Sequence, residues 1–153
     1  MMKVEDLMTK RVVTVGFDDT LETVKDIFEQ SGFHHLLVVE DRALQGVVSD
    51  RDLLRALSPF IDSVVETQRD IGTLSRRVHQ IMSRKPLTLR PDADVTEAIQ
   101  LFLNHPISCI PIVDGEFRPV GIVSWRDILK VSAELLGSPD SADSEAERAT
   151  RGE

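Results

Sequence analysis

The sequence has a single cysteine, Cys109, in 153 residues. That rules out an internal disulfide and a multi-cysteine zinc site. Long apolar runs are also missing. Stretches such as Leu36-Leu37-Val38-Val39 fall far short of the ~20 residues that cross a bilayer as a helix. Positive charge is in deficit, with 18 Lys and Arg against 26 Asp and Glu and a net charge of −8. Such a field repels polyanions over most of the surface, which makes nucleic acid a poor first candidate as partner, although a local basic pocket remains compatible with it. Residues 1–6 alternate charged with apolar side chains and lack the basic patch and apolar core of an export signal. These absences predict a cytoplasmic chain without membrane insertion. What is present, 41% hydrophobic and 29% charged residues, suits a globular chain with a packed core. The length fits one ordinary domain or two very small ones.

The sequence repeats itself. Sliding it along itself matches Val4 with Val78, Met8 with Met82, Thr14 with Thr88, Asp18 with Asp92, Phe28 with Phe102 and Val39 with Val113. One added residue then brings Gly46, Val48, Ser49, Arg51, Asp52 and Leu54 onto Gly121, Val123, Ser124, Arg126, Asp127 and Leu129. Each copy, of about fifty residues, is too small to bury enough surface alone, so the two should pack on each other.

Within each copy the hydrophobic period changes in the same order. Val12–Val15 and Leu87–Leu89 read as strands. Leu21, Val24, Ile27 and Phe28, and again Val95, Ala98, Ile99 and Phe102, fall at helical spacing behind acidic residues. Two further strands follow, Leu36–Val39 with Leu44–Val48 and Cys109–Val113 with Val120–Val123, and a short helix closes each copy. The expected fold is α+β: two βαββα units, over 4–57 and 78–136. A helical connector over 58–77 starts at Ser58-Pro59 and breaks near Gly72. Residues 137–153 hold no large apolar side chain and are predicted to be a disordered acidic tail.

The closest match is Gly46-Val-Val-Ser49-Asp-Arg-Asp52 against Gly121-Ile-Val-Ser124-Trp-Arg-Asp127. A Ser-x-x-Asp at a strand-to-helix junction reads first as a capping box. Its duplication, with glycine before it and arginine within it, also suits a site. Helix N-termini favour phosphate, and a nearby carboxylate can accept from two ribose hydroxyls.

This ending, the Val4-Glu-Asp-Leu-Met8 opening and the Cys109-Ile-Pro-Ile-Val-Asp114 strand resemble the cystathionine β-synthase (CBS) domain family. Two copies resemble a tandem CBS pair, or Bateman module. The resemblance implies pseudo-twofold packing, frequent homodimerisation, no catalysis, and a regulatory role through an adenosine-containing ligand (AMP, ADP, ATP or S-adenosylmethionine) bound between the copies. No other cofactor is implied. The partner regulated in trans is not identified. By resemblance, a first cleft joins Ser49, Arg51 and Asp52 with Ser83, Pro86, Leu87, Ile107, Ser108 and Pro111. A second joins Ser124, Arg126 and Asp127 with Thr9, Val12, Val13, Phe33, His34 and Leu36. Apolar residues would hold adenine, the aspartates ribose, and Arg51, Arg126, Lys10, Arg11, Arg84 and Lys85 phosphate.

The copies differ where Asp50 aligns with Trp125. A carboxylate near phosphate disfavours the first cleft, whereas an indole can stack or simply pack, so the second is expected to be the better nucleotide site. His34 and His35 are adjacent on a strand and point to opposite faces, and His79, His105 and Cys109 are scattered, so no metal site is expected. Two other readings remain: a ligand-free dimerisation module in which Ser49 and Ser124 only cap helices, and a nucleotide-hydrolysing enzyme using Asp50, Asp52 and Asp127. The enzyme reading is weakened because no histidine or nucleophile recurs beside both motifs.

Overall fold

A computed structural model describes residues 2–137; the acidic tail expected over 137–153 lies, beyond Gly137, outside the described residues. The first half runs α1 (Val4–Leu7), β1 (Thr14–Val15), α2 (Leu21–Ser31), β2 (His35–Glu40), β3 (Ala43–Ser49) and α3 (Asp50–Ala56). A connector with α4 (Gln68–Gly72) leads to β4 (Ser83–Arg84), α5 (Val95–Asn104), β5 (Cys109–Val113), β6 (Pro119–Ser124) and α6 (Trp125–Leu136). The architecture is α+β, and its two halves carry the pseudo-symmetry of the repeat. No helix among the described residues is long and apolar enough to cross a membrane.

Local chemistry fixes the main elements. Thr20 Oγ1 accepts from the Thr23 N–H at the start of α2, and Gly32, at φ 70°, ends it in the left-handed conformation that glycine adopts without steric cost. Leu21 and Val24 of α2, and Ala98 and Phe102 of α5, sit one helical turn apart and are buried. Strands β2 and β3 turn on Asp41 and Arg42, at φ 50° and 68°, the geometry of a two-residue hairpin whose twist matches its strands.

The sheets exchange their outermost strands. One sheet has the order β1-β2-β3-β4, and β5 pairs with β6 in the other. Strand β4 belongs to the second repeat by sequence, yet it pairs with β3 of the first, Val47 opposite Ser83. Reciprocally, the Thr9 N–H donates to the Ile122 carbonyl at 2.9 Å and the Ile122 N–H to the Thr9 carbonyl at 3.0 Å.

The cores follow that exchange. Val78 and Met82 are buried with Leu21, Val24, Leu36, Val38 and Val48 in the first half. Val4 is buried with Ala98, Phe102, Ile110, Ile112 and Val123 in the second. A third layer of Leu37, Leu44, Val47, Cys109 and Val113 fills the space between the sheets. Alternation along β2 explains the layering: Leu36 and Val38 point into their own half, and Leu37 points at the other.

The exchange accounts for the glycine of the duplicated motif. A Cβ on Gly46 would stand 2.6 Å from the Ser83 carbonyl oxygen, and a Cβ on Gly121 would overlap Met8 Sδ. Both glycines therefore seat the crossing segment of the opposite repeat.

Two expectations change. The first strand of each repeat shrinks to Thr14–Val15 in one copy and to a single bridge, Leu89 to Ile112, in the other, because the residues before them are crossing from one sheet to the other. The connector carries only α4 and a 3-10 turn at Thr73–Ser75. Ser58 starts no helix: its Oγ accepts from the Phe60 N–H, Ser63 Oγ–H donates to the Phe60 carbonyl, and Asp62 is left-handed at φ 61°. Such local side-chain bonds compete with the helical ladder.

Candidate functional site

Between the halves lies a cleft of about 890 Å³, within the range of small-molecule sites, roughly 300–1,000 Å³. One wall is the end of β3 and the first turns of α3, with Ser49, Asp50, Arg51, Asp52 and Arg55. The facing wall comes from the second repeat: Ser83, Pro86 and Leu87 of its opening segment, and Pro106, Ile107 and Ser108 before β5.

The capping reading of the duplicated motif holds. Ser49 Oγ accepts from the Asp52 N–H at 3.1 Å, and Asp52 Oδ2 accepts from the Ser49 N–H at 2.9 Å. In the other copy Asp127 Oδ2 accepts from the Ser124 N–H at 2.8 Å and from Ser124 Oγ–H at 3.2 Å. Capping occupies one carboxylate oxygen in each case; Oδ1 of Asp52 makes no hydrogen bond among the described residues. Asp52 can thus end a strand, start a helix and still offer an acceptor to the cleft.

The residues of the first cleft meet here, except Pro111. Its side chain is fully buried in β5, and its carbonyl accepts from the Leu89 N–H.

Of the residues assigned to the second cleft, Thr9 meets β6 two residues before Ser124, as Ser83 meets β3 two residues before Ser49. His34 lines the first cleft, Nδ1 2.8 Å from Asp50 Oδ2. Leu36 is buried in the first half's core, with Val13 packed against that core. Val12 packs on the layer between the sheets, and Thr9 spends its backbone on Ile122. Phe33 is half-buried and Arg126 exposed, while Ser124 and Asp127 cap α6.

Of the two roles open to Trp125, packing or stacking on a ligand, the structure shows packing. Its ring packs against Phe102, centroids 5.6 Å apart, its Nε1–H donates to the Ile107 carbonyl, and it lines the first cleft. None of Lys10, Arg11, Arg84 or Lys85 lines this cleft. Arg84 turns back to donate to the His79 carbonyl.

Arg55, which lies outside the Ser-x-x-Asp motif, also lines the cleft. It stands one turn beyond Arg51 on α3, and the repeat aligns it with Lys130, another cation. That recurrence was a readable signal.

Two groups in the walls are held neutral. His35, whose Nε2 lies 2.7 Å from Ser108 Oγ of the other repeat, has its pKa lowered mainly by burial. Burial, with a smaller push from Asp52, raises the Cys109 thiol to about 12. At pH 8 its thiolate fraction is on the order of one in ten thousand. Cys109 is therefore expected to resist Ellman's reagent in the folded protein and react fully in urea; rapid stoichiometric labelling of the folded protein would contradict this.

Comparison with known proteins places these observations. A family model described as CBS domain matches residues 4–59 and 78–134. A CBS domain-containing protein of Dictyostelium discoideum is 31% identical over 135 residues, 87% of this chain and 92% of that protein. The inosine-5'-monophosphate dehydrogenase of Methanocaldococcus jannaschii is 28% identical over 84% of this chain, but the match spans only 23% of that enzyme. Among solved structures, CBSX2 of Arabidopsis thaliana, crystallised with AMP, superposes with a TM-score of 0.74 at 23% identity, over 90% of this chain and all of that one. The cytosolic domain of the Mg2+ channel MgtE, crystallised with ATP, superposes with a TM-score of 0.68 at 30% identity, over 84% of this chain and 48% of that one.

Proposed function

The chain belongs to the CBS domain family and carries the domain twice; from that premise we propose that it is a regulatory module that binds an adenosine-containing ligand without transforming it. The observation that carries this reading is the cleft, built from both repeats at once, with an unengaged carboxylate oxygen on one wall and apolar side chains on the other. Asp52 Oδ1 suits ribose hydroxyls. Pro86, Leu87 and Ile107 suit the adenine faces. Arg51 and Arg55 suit a phosphate, as guanidinium groups do. The AMP bound by CBSX2 and the ATP bound by the MgtE domain support this class of ligand.

A ligand spanning both walls favours the arrangement of the halves that fits it best, which is the physical route from binding to regulation of a partner in trans. Leu54 on α3 and Leu129 on α6, equivalent in the repeat, are 74% and 61% exposed, which supports association of two copies through these helices.

Calorimetric titration with adenosine, AMP, ADP, ATP and S-adenosylmethionine tests the reading. At least one is expected to saturate a site in the micromolar range. Ligand at about a hundred times its Kd adds about 2.7 kcal/mol of stability, a rise in Tm of roughly 5–15 °C. A folded protein that binds none of them at millimolar concentration would leave only the dimerisation module.

A further inference from the structure

Resting on the reading of this cleft as an adenosine-ligand site, we infer that it selects a nucleoside monophosphate over a triphosphate, and that Asp50 is the residue that sets the preference. The charges lining the cleft are two arginines, Arg51 and Arg55, and two aspartates, Asp50 and Asp52. With Asp52 engaged by ribose, Asp50 is the anion left to act against a phosphate beside the two arginines.

Asp50 cannot easily turn away. Its N–H donates to the His34 carbonyl at 3.0 Å, and its Oδ2 accepts from His34 Nδ1 at 2.8 Å. A carboxylate only accepts, so Nδ1 carries the proton of this bond. The bond holds the Asp50 carboxylate at the wall of the cleft. The repeat puts uncharged Trp125 at the equivalent position, so this charge belongs to one end of the pseudo-symmetric pair.

Of the other basic residues, Arg76 lies beyond Asp52 and Arg55 in an adjoining pocket, on the far side from Asp50's bond to His34, and is tied to the Ala56 carbonyl at 3.3 Å. Lys10, Arg11, Arg84 and Lys85 do not line the cleft, and Arg84 is tied to the His79 carbonyl at 2.9 Å. A monophosphate carries about two negative charges near neutral pH, and each further phosphate adds about one. The two arginines match the first. Further phosphates meet Asp50 without a matching cation, and one such like-charge encounter at a protein surface costs on the order of tenfold in affinity. Asp50 is 44% exposed at its side chain, so salt should screen the effect.

The test is calorimetry on the full chain at pH 7.5, in EDTA and about 0.15 M salt, with adenosine, AMP and ATP. The wild type is expected to bind AMP about tenfold more tightly than ATP. Asp50→Asn, which keeps an acceptor for His34, is expected to bring the ratio near one by strengthening ATP. In the wild type, raising the salt severalfold should shrink the ratio. ATP binding as tight as AMP in the wild type, or a ratio unchanged both by Asp50→Asn and by salt, overturns the inference while the ligand cleft stands. Failure of AMP and ATP alike to bind overturns the inference, and failure of adenosine, ADP and S-adenosylmethionine as well overturns the ligand reading with it.

Discussion

Gly121→Val is expected to destabilise the protein by about 1–3 kcal/mol, the usual range of overpacking effects. A Cβ at residue 121 overlaps Met8 Sδ and comes within 2.9 Å of Met8 Cγ, and valine adds two further carbons. The thioether can shift a little, but Thr9 beside it is fixed to Ile122 by two backbone hydrogen bonds. Relief of the overlap therefore falls on the Met8 side chain, which must leave its place over β6 and against the second half's core. That displacement would loosen the packing around Val4, fully buried in the same core. Urea denaturation gives the measurement. The double variant Met8→Ala/Gly121→Val identifies the cause, because shortening Met8 should recover part of the loss and make the two changes strongly non-additive. Additive losses, or an unchanged midpoint for Gly121→Val, would mean that Met8 does not cover this strand.

Asp52→Ala should weaken adenosine-ligand binding by about tenfold to a hundredfold, the usual worth of hydrogen bonds to a charged acceptor. It should also cost roughly 0.5–2 kcal/mol of stability, since Asp52 Oδ2 completes the cap of α3. The two effects separate in a matched comparison: Asp127→Ala removes the corresponding cap of α6 without removing a residue that lines the cleft. Both variants should melt earlier, and Asp52→Ala should lose much more affinity. Equal losses of affinity would assign the carboxylates a purely structural role, or place a ligand at each.

Much of this site is readable in the chain because its parts are local. Ser49-Asp-Arg-Asp52 forms a cap through bonds that span three residues, and duplication marks the segment as more than a helix start. The hydrophobic periods locate the main helices and the two hairpins for the same reason: the pattern of 3.6 or 2 residues is set by the burial of one face. The connector fails this reading because its serines bond their own neighbours, which no hydrophobic pattern reveals. Trp125 is a different case, because packing and stacking are both open to it in the sequence. The sequence puts the indole beside Ser124, while its Nε1–H reaches back to Ile107 and its ring settles on Phe102, contacts that hydrophobic periodicity does not specify.

The sequence by itself determined the duplication, the α+β class and the family, and the resemblance carried with it the expectation of a cleft between Ser49 and Asp52 on one side and Ser83, Pro86 and Leu87 on the other. The tertiary structure decided which sheet each opening segment covers. Met8 and Met82 are equivalent in the repeat, as are Thr9 and Ser83, so either segment matches the apolar pattern of either sheet. Pairing of Thr9 with Ile122 and of Ser83 with Val47 resolves that degeneracy, because a strand ladder is a long-range choice that a periodic sequence leaves open. The same crossing carries Ser83, Pro86 and Leu87 opposite Asp52, and so makes one cleft out of two repeats.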